Sequence, residues 1–225
     1  MPNSLAEPLA ALLEIVHADP FLLVLNKPSG LLAVPGRGAD KQDCLSARAQ
    51  QLYPDALVVH RLDMGTSGLM LMARSPDTQR ALSQAFAQRL VHKRYAAIVS
   101  GAMAAPVDAI DGWGQIDLPI LVDWARRPLR KIDAENGKPS LTRWRITEPC
   151  QAGNTTRLLL EPVTGRSHQL RVHLRALGHP IVGDLLYAPP PVAAAADRLL
   201  LHACSLAFAH PLSGQWMSFE SPALF

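Results

Sequence analysis

A polar, glycine-containing loop enclosed by two apolar runs is the feature of this sequence that most constrains its fold. Residues 59–73 read VHRLDMGTSGLMLMA, and the apolar ends are typical of buried strands. Asp63 lies in the middle, with His60 and Arg61 just before it. An isolated Asp in a strand connection usually caps a turn by accepting backbone N–H groups. Grouped polar side chains on a rigid scaffold favour a functional loop instead, so Asp63 is either a turn cap or a catalyst.

Length and composition indicate a globular chain with a modest positive charge. The 225 residues are 48% hydrophobic, enough for one large domain or two small ones. The formal net charge is +3 and the pI is about 8.9. A charge of this size permits an anionic partner such as RNA without requiring one.

The cysteines and the N-terminal segment indicate a reducing compartment. Cys44, Cys150 and Cys204 are far apart and have no CxxC spacing, which argues against a disulfide framework or a zinc site. The first residues have no basic region, and Glu7 and Pro8 interrupt their apolar portion, so no signal peptide is predicted. No run approaches the roughly 18 apolar residues that span a bilayer. We therefore expect a cytoplasmic protein with no membrane partner.

The chain alternates short strands with a few amphipathic helices. The pattern predicts strands over 14–18, 21–26, 94–100, 157–163 and 199–210, and helices over 43–52 and 75–90. The second helix has the clearest boundary, with Ser75 as its N-cap and Pro76 at its first position.

Two segments show no clear periodicity. Residues 102–140 contain Gly, Pro, Trp and many basic residues, so they form either a solvated surface excursion or a mobile loop that meets phosphates. In the second case Trp113 or Trp124 would stack on bases. Residues 188–197, APPPVAAAAD, are expected to cross the surface without carrying chemistry.

A second polar cluster lies at residues 164–184. Leucines at helical spacing predict a helix over 168–177, with Ser167 as its N-cap and Gly178 at its C-terminal turn. Arg166 and His168 then flank the helix start, where the positive end of the dipole favours an anion or an RNA backbone.

Several other kinds of site are disfavoured by spacing. His168 and His173 fall on different helix faces, and no carboxylate or Cys completes a metal ligand set, so structural or RNA-contacting histidines are favoured. Ser67 lies in Thr-Ser-Gly, not in the GxSxG of a hydrolase. Phosphate-binding glycine loops are missing, so no nucleotide cofactor is predicted.

Taken together, these motifs resemble the RluA family of pseudouridine synthases over nearly the whole chain. The matching segments are Asn26-Lys27-Pro28-Ser29-Gly30 with Val34-Pro35-Gly36, His60-Arg61-Leu62-Asp63 with Thr66-Ser67-Gly68, Lys93-Arg94-Tyr95-Ala96, Gly137-Lys138-Pro139, the run from Gly165 to His173, the run from Gly178 to Asp184, and Leu201-His202-Ala203. The residues of these motifs are most similar to those of the compact family member that modifies both a tRNA anticodon stem-loop and a 23S rRNA hairpin. About fourteen residues precede the first strand, too few for the N-terminal S4 domain of larger relatives.

The resemblance implies an α+β fold with a central, mainly antiparallel sheet flanked by helices and loops. It implies one catalytic domain over 1–225, in which 102–140 is a flexible RNA-contacting insert. The implied reaction isomerises uridine to pseudouridine without a cofactor or a metal. Asp63 matches the catalytic carboxylate, Arg166 the arginine that holds it ionised, Tyr95 the aromatic that stacks on the base, and Leu170 an apolar neighbour.

The resemblance also implies that the target base leaves its stack and that Arg61 fills the vacated space. An ordinary surface ion pair is the alternative for Arg61, and a core-filling aromatic is the alternative for Tyr95. The other candidates for RNA contact are His60, Lys93, Arg94, Arg126, Arg127, Arg130, Lys138, His168 and Arg171. The expected partner is RNA and not DNA, bound by a monomer.

Two alternative functions fit the same residues. An RNA N-glycosidase would also direct an Asp against the C–N bond of uridine, but it would release free base. A non-catalytic RNA-binding module or RNA chaperone would need none of Asp63, Tyr95 and Arg166, so their presence counts against it.

Overall fold

A computed structural model describes residues 13–106, 109–151 and 154–225, which form two compact units. Unit 1 contains the chain up to His92 together with Ala203–Ala223, and unit 2 contains Lys93–His202 with Leu224–Phe225. The N-terminal stretch with Glu7 and Pro8, and the side chain of Cys150, lie outside the described part. The expectation of a single catalytic domain stays a prediction.

The elements follow one another in this order. The strands are β1 (Glu14–Ala18), β2 (Leu22–Lys27), β3 (Leu57–Val58), β4 (Ser67–Ala73), β5 (His92–Ser100), β6 (Gly114–Asp117), β7 (Ile120–Val122), β8 (Arg130–Ile132), β9 (Leu141–Gln151), β10 (Thr155–Pro162), β11 (Leu201–Ala209) and β12 (Trp216–Glu220). The α-helices are α1 (Leu45–Leu52), α2 (Pro76–Ala87), α3 (Gln169–Ala176) and α4 (Pro190–Ala193), and a short 3₁₀ turn covers Ala39–Lys41.

Unit 1 is built around two strands that are buried along almost their whole length. Strand β2 pairs antiparallel with both β1 and β4, β3 pairs with β4, and β11 pairs with β12. Every residue of β4 is buried, which confirms the predicted buried run after the polar loop. Leu82 of α2 joins the apolar cluster formed by these strands, together with Leu71 and Phe208. The polar loop therefore leads directly into a rigid strand.

Unit 2 contains an antiparallel sheet with one helix packed on it. Strand β10 pairs with β5 and β9, and β9 also pairs with β6. Residues of β10 alternate between half-buried and buried, as expected for a strand with one face on a core. Leu170 and Leu174 of α3 pack in that core with Leu158 and Leu160 of β10. The α+β class with mainly antiparallel pairing is confirmed.

The cap residues explain where helix α2 begins. Ser75 is extended, and its hydroxyl accepts the N–H of Thr78 at 3.2 Å, while Pro76 occupies the first turn. The predicted start is confirmed. The helix ends at Ala87 instead of residue 90, because Arg89 takes a left-handed φ of 62° that a helix cannot continue through.

The predicted N-cap of helix α3 is wrong. The cap is His168, which has a left-handed φ of 59° and no side-chain cap hydrogen bond, so Ser167 lies one residue further out. The side chain of Gln169, the first residue of α3, bonds back to the turn before the helix, because its Oε1 accepts the N–H of Arg166 at 3.0 Å.

The segment 102–140 contains more regular structure than its sequence pattern suggests. Strand β6 joins the sheet of unit 2, and β7 pairs antiparallel with β8 to form a hairpin of three residues per strand. Strands this short are below the length at which alternation can be recognised.

Gly68 occupies a position that no other residue fits. Its φ is +110°, and a Cβ there would lie 2.3 Å from the carbonyl oxygen of Ala203 on β11, inside the same unit. Gly178 is a matched contrast, because its φ is +83° but a Cβ added there would meet no atom within 4 Å. Both glycines relieve backbone strain, but only Gly68 also permits close backbone approach.

We expect Gly68→Ala to destabilise the protein by at least about 3 kcal/mol, since it combines backbone strain with a clash against fixed backbone. Gly178→Ala should cost about 1 kcal/mol, because only the strain applies. Urea unfolding followed by circular dichroism measures both. Equal unfolding midpoints for the two variants would contradict the close approach of β4 and β11.

Candidate active site

The loop between β3 and β4 presents Asp63 from a fixed backbone. Leu62 is buried and anchors the loop, while Arg61 on one side is exposed and Asp63 on the other is half-buried. The backbone carbonyl of Asp63 accepts the N–H of Thr66 at 3.1 Å, which closes a turn directly after the carboxylate. The side chain is therefore accessible while its backbone is held.

The buried side chain of Lys27 holds this loop through hydrogen bonds. Its side chain is 1% exposed, and its Nζ donates to the carbonyl oxygens of Pro28, Leu31 and Met64 at 2.8, 2.7 and 3.0 Å. An ammonium has three hydrogens, so all of them are given to backbone carbonyls. Lys27 thus ties the loop after β2 to the loop that carries Asp63.

Two further hydrogen bonds reinforce the same connection. The Ser29 hydroxyl donates to the carbonyl of Gly65 at 2.7 Å, and the Gly30 N–H donates to the carbonyl of Met64 at 2.9 Å. The residues just after Asp63 are consequently held by the segment 27–30. This explains why Asp63 stays in place although its loop is rich in polar and small residues.

Lys27 also brings a positive charge close to Asp63. Burial lowers the pKa of Lys27 to about 8, while the negative charge of Asp63 opposes that shift. Since the ammonium gives its hydrogens to carbonyls, it acts on Asp63 through its charge and not through a direct hydrogen bond. In the sequence, Lys27 stood out only as part of a motif. The available signal was a Lys at the end of a strand that is apolar apart from Asn26.

His60 supports the start of the loop. Its Nε2 accepts the N–H of Leu71 at 2.9 Å, and its ring stacks on Phe86 with centroids 4.6 Å apart. Both contacts join the loop to β4 and α2. The predicted RNA contact of His60 stays a prediction, and these contacts favour a supporting role.

In unit 2, successive residues of β5 point to opposite faces of the sheet. Tyr95 is half-buried and packs against the cluster that includes Leu170, which is itself buried on α3. Arg94 faces the other way, where it pairs with Glu161 at 3.5 Å and lies over the ring of Trp113. Lys93 is half-buried, and its burial lowers its pKa.

Buried Gln169 shapes the turn that precedes α3. Its Oε1 accepts from the Thr164 hydroxyl at 2.7 Å and from the Arg166 N–H, while its Nε2 donates to Leu141 O and to Thr142 Oγ1. Every hydrogen-bonding atom of this amide is engaged. The exposed guanidinium of Arg166 is thereby presented from a fixed backbone, with its Nε 3.4 Å from the carbonyl of Pro139.

The loop of the β7–β8 hairpin carries exposed cationic and aromatic groups. Arg127 stacks its guanidinium 3.4 Å from the ring centroid of Trp124, which is 69% exposed. Arg126 is also exposed and is held by Asp123 at 2.8 Å. Lys138 is exposed and Arg130 is half-buried. This arrangement can offer both charge and a stacking plane to a nucleic acid.

Two candidate residues of α3 are structural in their contacts. Arg171 is 6% exposed and forms a two-point ion pair with Asp184 at 2.8 and 2.7 Å. His173 is fully buried between Thr142 Oγ1 and Leu118 O, and burial lowers its pKa. The structural interpretation of His173 is confirmed, and the predicted RNA contact of Arg171 stays a prediction.

Within residues 13–106, 109–151 and 154–225, the structure has neither a cluster of metal ligands nor a helix that could span a membrane. No group of three or more His, Cys, Asp or Glu side chains there is arranged to hold a metal ion. No helix in that part is long and apolar enough to cross a membrane.

Comparison with known proteins defines the class. Residues 21–176 match the family described as RNA pseudouridylate synthase. Together with the relatives described next, this match shows that the chain belongs to the pseudouridine synthase family, and the resemblance inferred from the motifs is confirmed. The chain is therefore an RNA pseudouridine synthase.

Individual relatives indicate which members of the family this chain is similar to. The dual-specificity RNA pseudouridine synthase RluA of Escherichia coli (strain K12) is 47% identical over 213 residues, which cover 95% of this chain and 94% of that protein. The protein of the same name from Pasteurella multocida is 46% identical over 213 residues, which also cover 95% of this chain and 94% of that protein. The solved structure of human RNA Pseudouridylate Synthase Domain Containing 1 superposes with a TM-score of 0.77 at 29% identity, covering 99% of this chain and 86% of that one.

The charge coupling between Lys27 and Asp63 can be measured directly. Because the carboxylate of Asp63 raises the pKa of Lys27, we expect Asp63→Asn to lower that pKa below its value of about 8. NMR titration of the lysine side-chain carbons can follow it, since the chain has only five lysines. Lys131, whose pKa is raised by its hydrogen bond to Asp133, is an internal reference that Asp63→Asn should leave unchanged. An unchanged or higher pKa of Lys27 in the variant would contradict the coupling.

Proposed function

We propose that this chain isomerises uridines to pseudouridine in structured RNA, with a 23S rRNA hairpin and tRNA anticodon stem-loops as substrates. The observation that carries the proposal is the half-buried Asp63 on a loop fixed by the buried Lys27 ammonium. The identity with the two dual-specificity relatives supports the choice of two RNA classes.

Asp63 supplies the carboxylate at the junction of sugar and base. It either attacks C1′ or removes the proton at C2′, and in both cases the C1′–N1 bond breaks. The bound uracil turns and forms a new bond from C5 to C1′. This step displaces the Asp63 carboxylate from C1′ on the first route, and on the second route Asp63 returns the proton to C2′. The hydrogen on C5 then leaves as a proton. N1 gains a proton, so the atoms balance without any oxidant or reductant.

Tyr95 and Arg166 complete the proposed chemistry. Tyr95 stacks on the target base, supported by its packing in the cluster that contains Leu170. Arg166 supplies a positive charge that keeps the catalytic carboxylate ionised, supported by its exposed guanidinium on a turn that Gln169 fixes. A preorganised charge of this kind acts without reorganisation during the reaction.

RNA binding is proposed to combine base extrusion with contacts to phosphates. Extruding the base from its stack costs a few kcal/mol, and exposed Arg61 fills the gap that it leaves. The other residues proposed for RNA contact are His60, Lys93, Arg94, Arg126, Arg127, Arg130, Lys138, His168 and Arg171. Of these, the exposed members suit phosphates directly, whereas buried Arg171 suits a supporting role. The single catalytic domain, the monomeric state and the cytoplasmic location remain predictions.

Asp63→Asn should reduce the rate of isomerisation by about 10³-fold or more, because one charge at a preorganised centre controls the chemistry. RNA affinity should stay within about tenfold, since phosphate contacts dominate it. Release of tritium from an unmodified anticodon stem-loop labelled at uridine C5 measures the rate. Asp77→Asn, whose side chain is 88% exposed on α2, is the matched control and should be fully active.

The same assay separates the alternatives. An RNA N-glycosidase would release free uracil with its C5 hydrogen retained, and a non-catalytic RNA-binding module would release neither tritium nor uracil. Wild-type rates in Asp63→Asn would overturn the proposed role of this carboxylate.

A further inference from the structure

Tyr187 lies where helix α3 meets the β7–β8 hairpin. Its side chain is 4% exposed and forms a small apolar cluster with Ile120 of β7 and Val172 of α3. Leu129 and Ile132, on either side of Arg130, pack against the same cluster. The ring therefore touches two elements that carry residues proposed for RNA contact.

The Tyr187 hydroxyl makes one hydrogen bond to each of these elements. It accepts the backbone N–H of Arg130 at 2.9 Å and lies 2.6 Å from Nδ1 of His168, the N-cap residue of α3. The tautomer of His168 decides whether the Tyr187 hydroxyl or Nδ1 donates, and in either case the hydroxyl has one partner on each element. The two rings meet edge to face with centroids 5.5 Å apart.

The position of Tyr187 is itself fixed from a third side. The carboxylate of Asp184 accepts the N–H groups of Leu186 and Tyr187 at 2.9 and 3.2 Å, and it also receives both bonds from Arg171. The guanidinium carbon of Arg171 lies 5.0 Å from the Tyr187 ring centroid. The buried ion pair between Arg171 and Asp184 thus fixes the position of the Tyr187 backbone and, with it, the position of the hydroxyl.

The hairpin is short, and its β7 strand is also tied to the following segment by two backbone hydrogen bonds between Ile120 and Lys138. Its strands pair over only three residues each, and Arg130 is the first paired residue after the loop that carries Arg126 and Arg127. A two-stranded hairpin is marginal by itself, so its orientation depends on what it packs against. The hydrogen bond from the Arg130 N–H to the Tyr187 hydroxyl joins the β8 residue next to that loop to the rest of unit 2.

We propose that Tyr187 is a positioning residue for RNA binding, which holds the hairpin arginines and the turn at His168 in one arrangement. Its hydroxyl is the shared hydrogen-bond partner of both segments, so removing it loosens both at once while the apolar cluster around the ring stays. The inference rests on the proposed function, because that function assigns Arg126, Arg127 and His168 to RNA contact.

A double-mutant cycle tests the proposal with Tyr187→Phe and the pair Arg126→Ala/Arg127→Ala. Tyr187→Phe keeps the buried ring and removes only the hydroxyl. We expect it to raise the KM for an anticodon stem-loop about tenfold, and single-turnover rates at saturating RNA to stay within about threefold. KM does not depend on the fraction of folded enzyme, so a purely structural role would leave it unchanged.

The cycle then asks whether Tyr187 acts through the arginines. Once Tyr187→Phe has displaced the hairpin, removing its arginines should raise KM by a factor at least about threefold smaller than in the wild type. The inference would be overturned if the arginine substitutions raised KM by the same factor in Tyr187→Phe as in the wild type. An unchanged KM in Tyr187→Phe alone would also overturn it. Tyr53→Phe in unit 1, whose ring lies under Arg74, is the matched control and should leave KM unchanged.

Failure of the proposed function gives a different result. In that case the wild-type protein itself would form no pseudouridine. Fluorescence anisotropy with the same stem-loop would still run the cycle on Kd, and coupled or independent effects on Kd would support or overturn the role of Tyr187 by themselves.

Discussion

The hydrogen bonds from the Lys27 ammonium to three backbone carbonyls are the interaction on which the rest of the site depends. A buried charge is costly unless it is paired or hydrogen-bonded, and here each N–H has a carbonyl partner. One of these partners is Met64, the residue after Asp63. The carboxylate therefore rests on a backbone that the core of unit 1 holds, and the charge that we propose to act in catalysis is kept in place.

Unit 2 also uses buried, fully hydrogen-bonded polar side chains to fix its backbone. Buried Gln169 engages all of its hydrogen-bonding atoms to shape the turn at Arg166, and buried Asp184 collects two N–H groups and a guanidinium beneath Tyr187. In each case a buried polar group with all of its hydrogen bonds formed fixes the backbone of a residue that is proposed to contact RNA or to support RNA binding. The residues proposed to act on RNA are mostly exposed or half-buried, and the buried polar residues give them fixed positions.

The sequence predicted local features well and long-range polar partners poorly. Ser75 and Pro76 indicated the start of helix α2 because capping depends on a few neighbouring residues. The apolar run after Asp63 indicated the buried strand β4, whereas the run before it forms only the half-buried, two-residue strand β3. Lys27, Gln169 and Tyr187 were not recognised as supports, because their partners lie up to 57 residues away in the chain. The cap of α3 was assigned to Ser167 because a serine is the usual choice, whereas the helix begins after His168 without a side-chain cap. The roles of Asp63, Tyr95 and Arg166 came from the family resemblance.

The central claim is that the fixed carboxylate of Asp63 forms pseudouridine in cellular RNA. Its most direct test is mass-spectrometric mapping of pseudouridine in 23S rRNA and tRNA from a strain that lacks this gene. We expect defined pseudouridines to be missing from both RNA classes, to return with the wild-type gene, and to stay absent with Asp63→Asn. Unchanged pseudouridines in the deletion strain, or their return with Asp63→Asn, would contradict the claim.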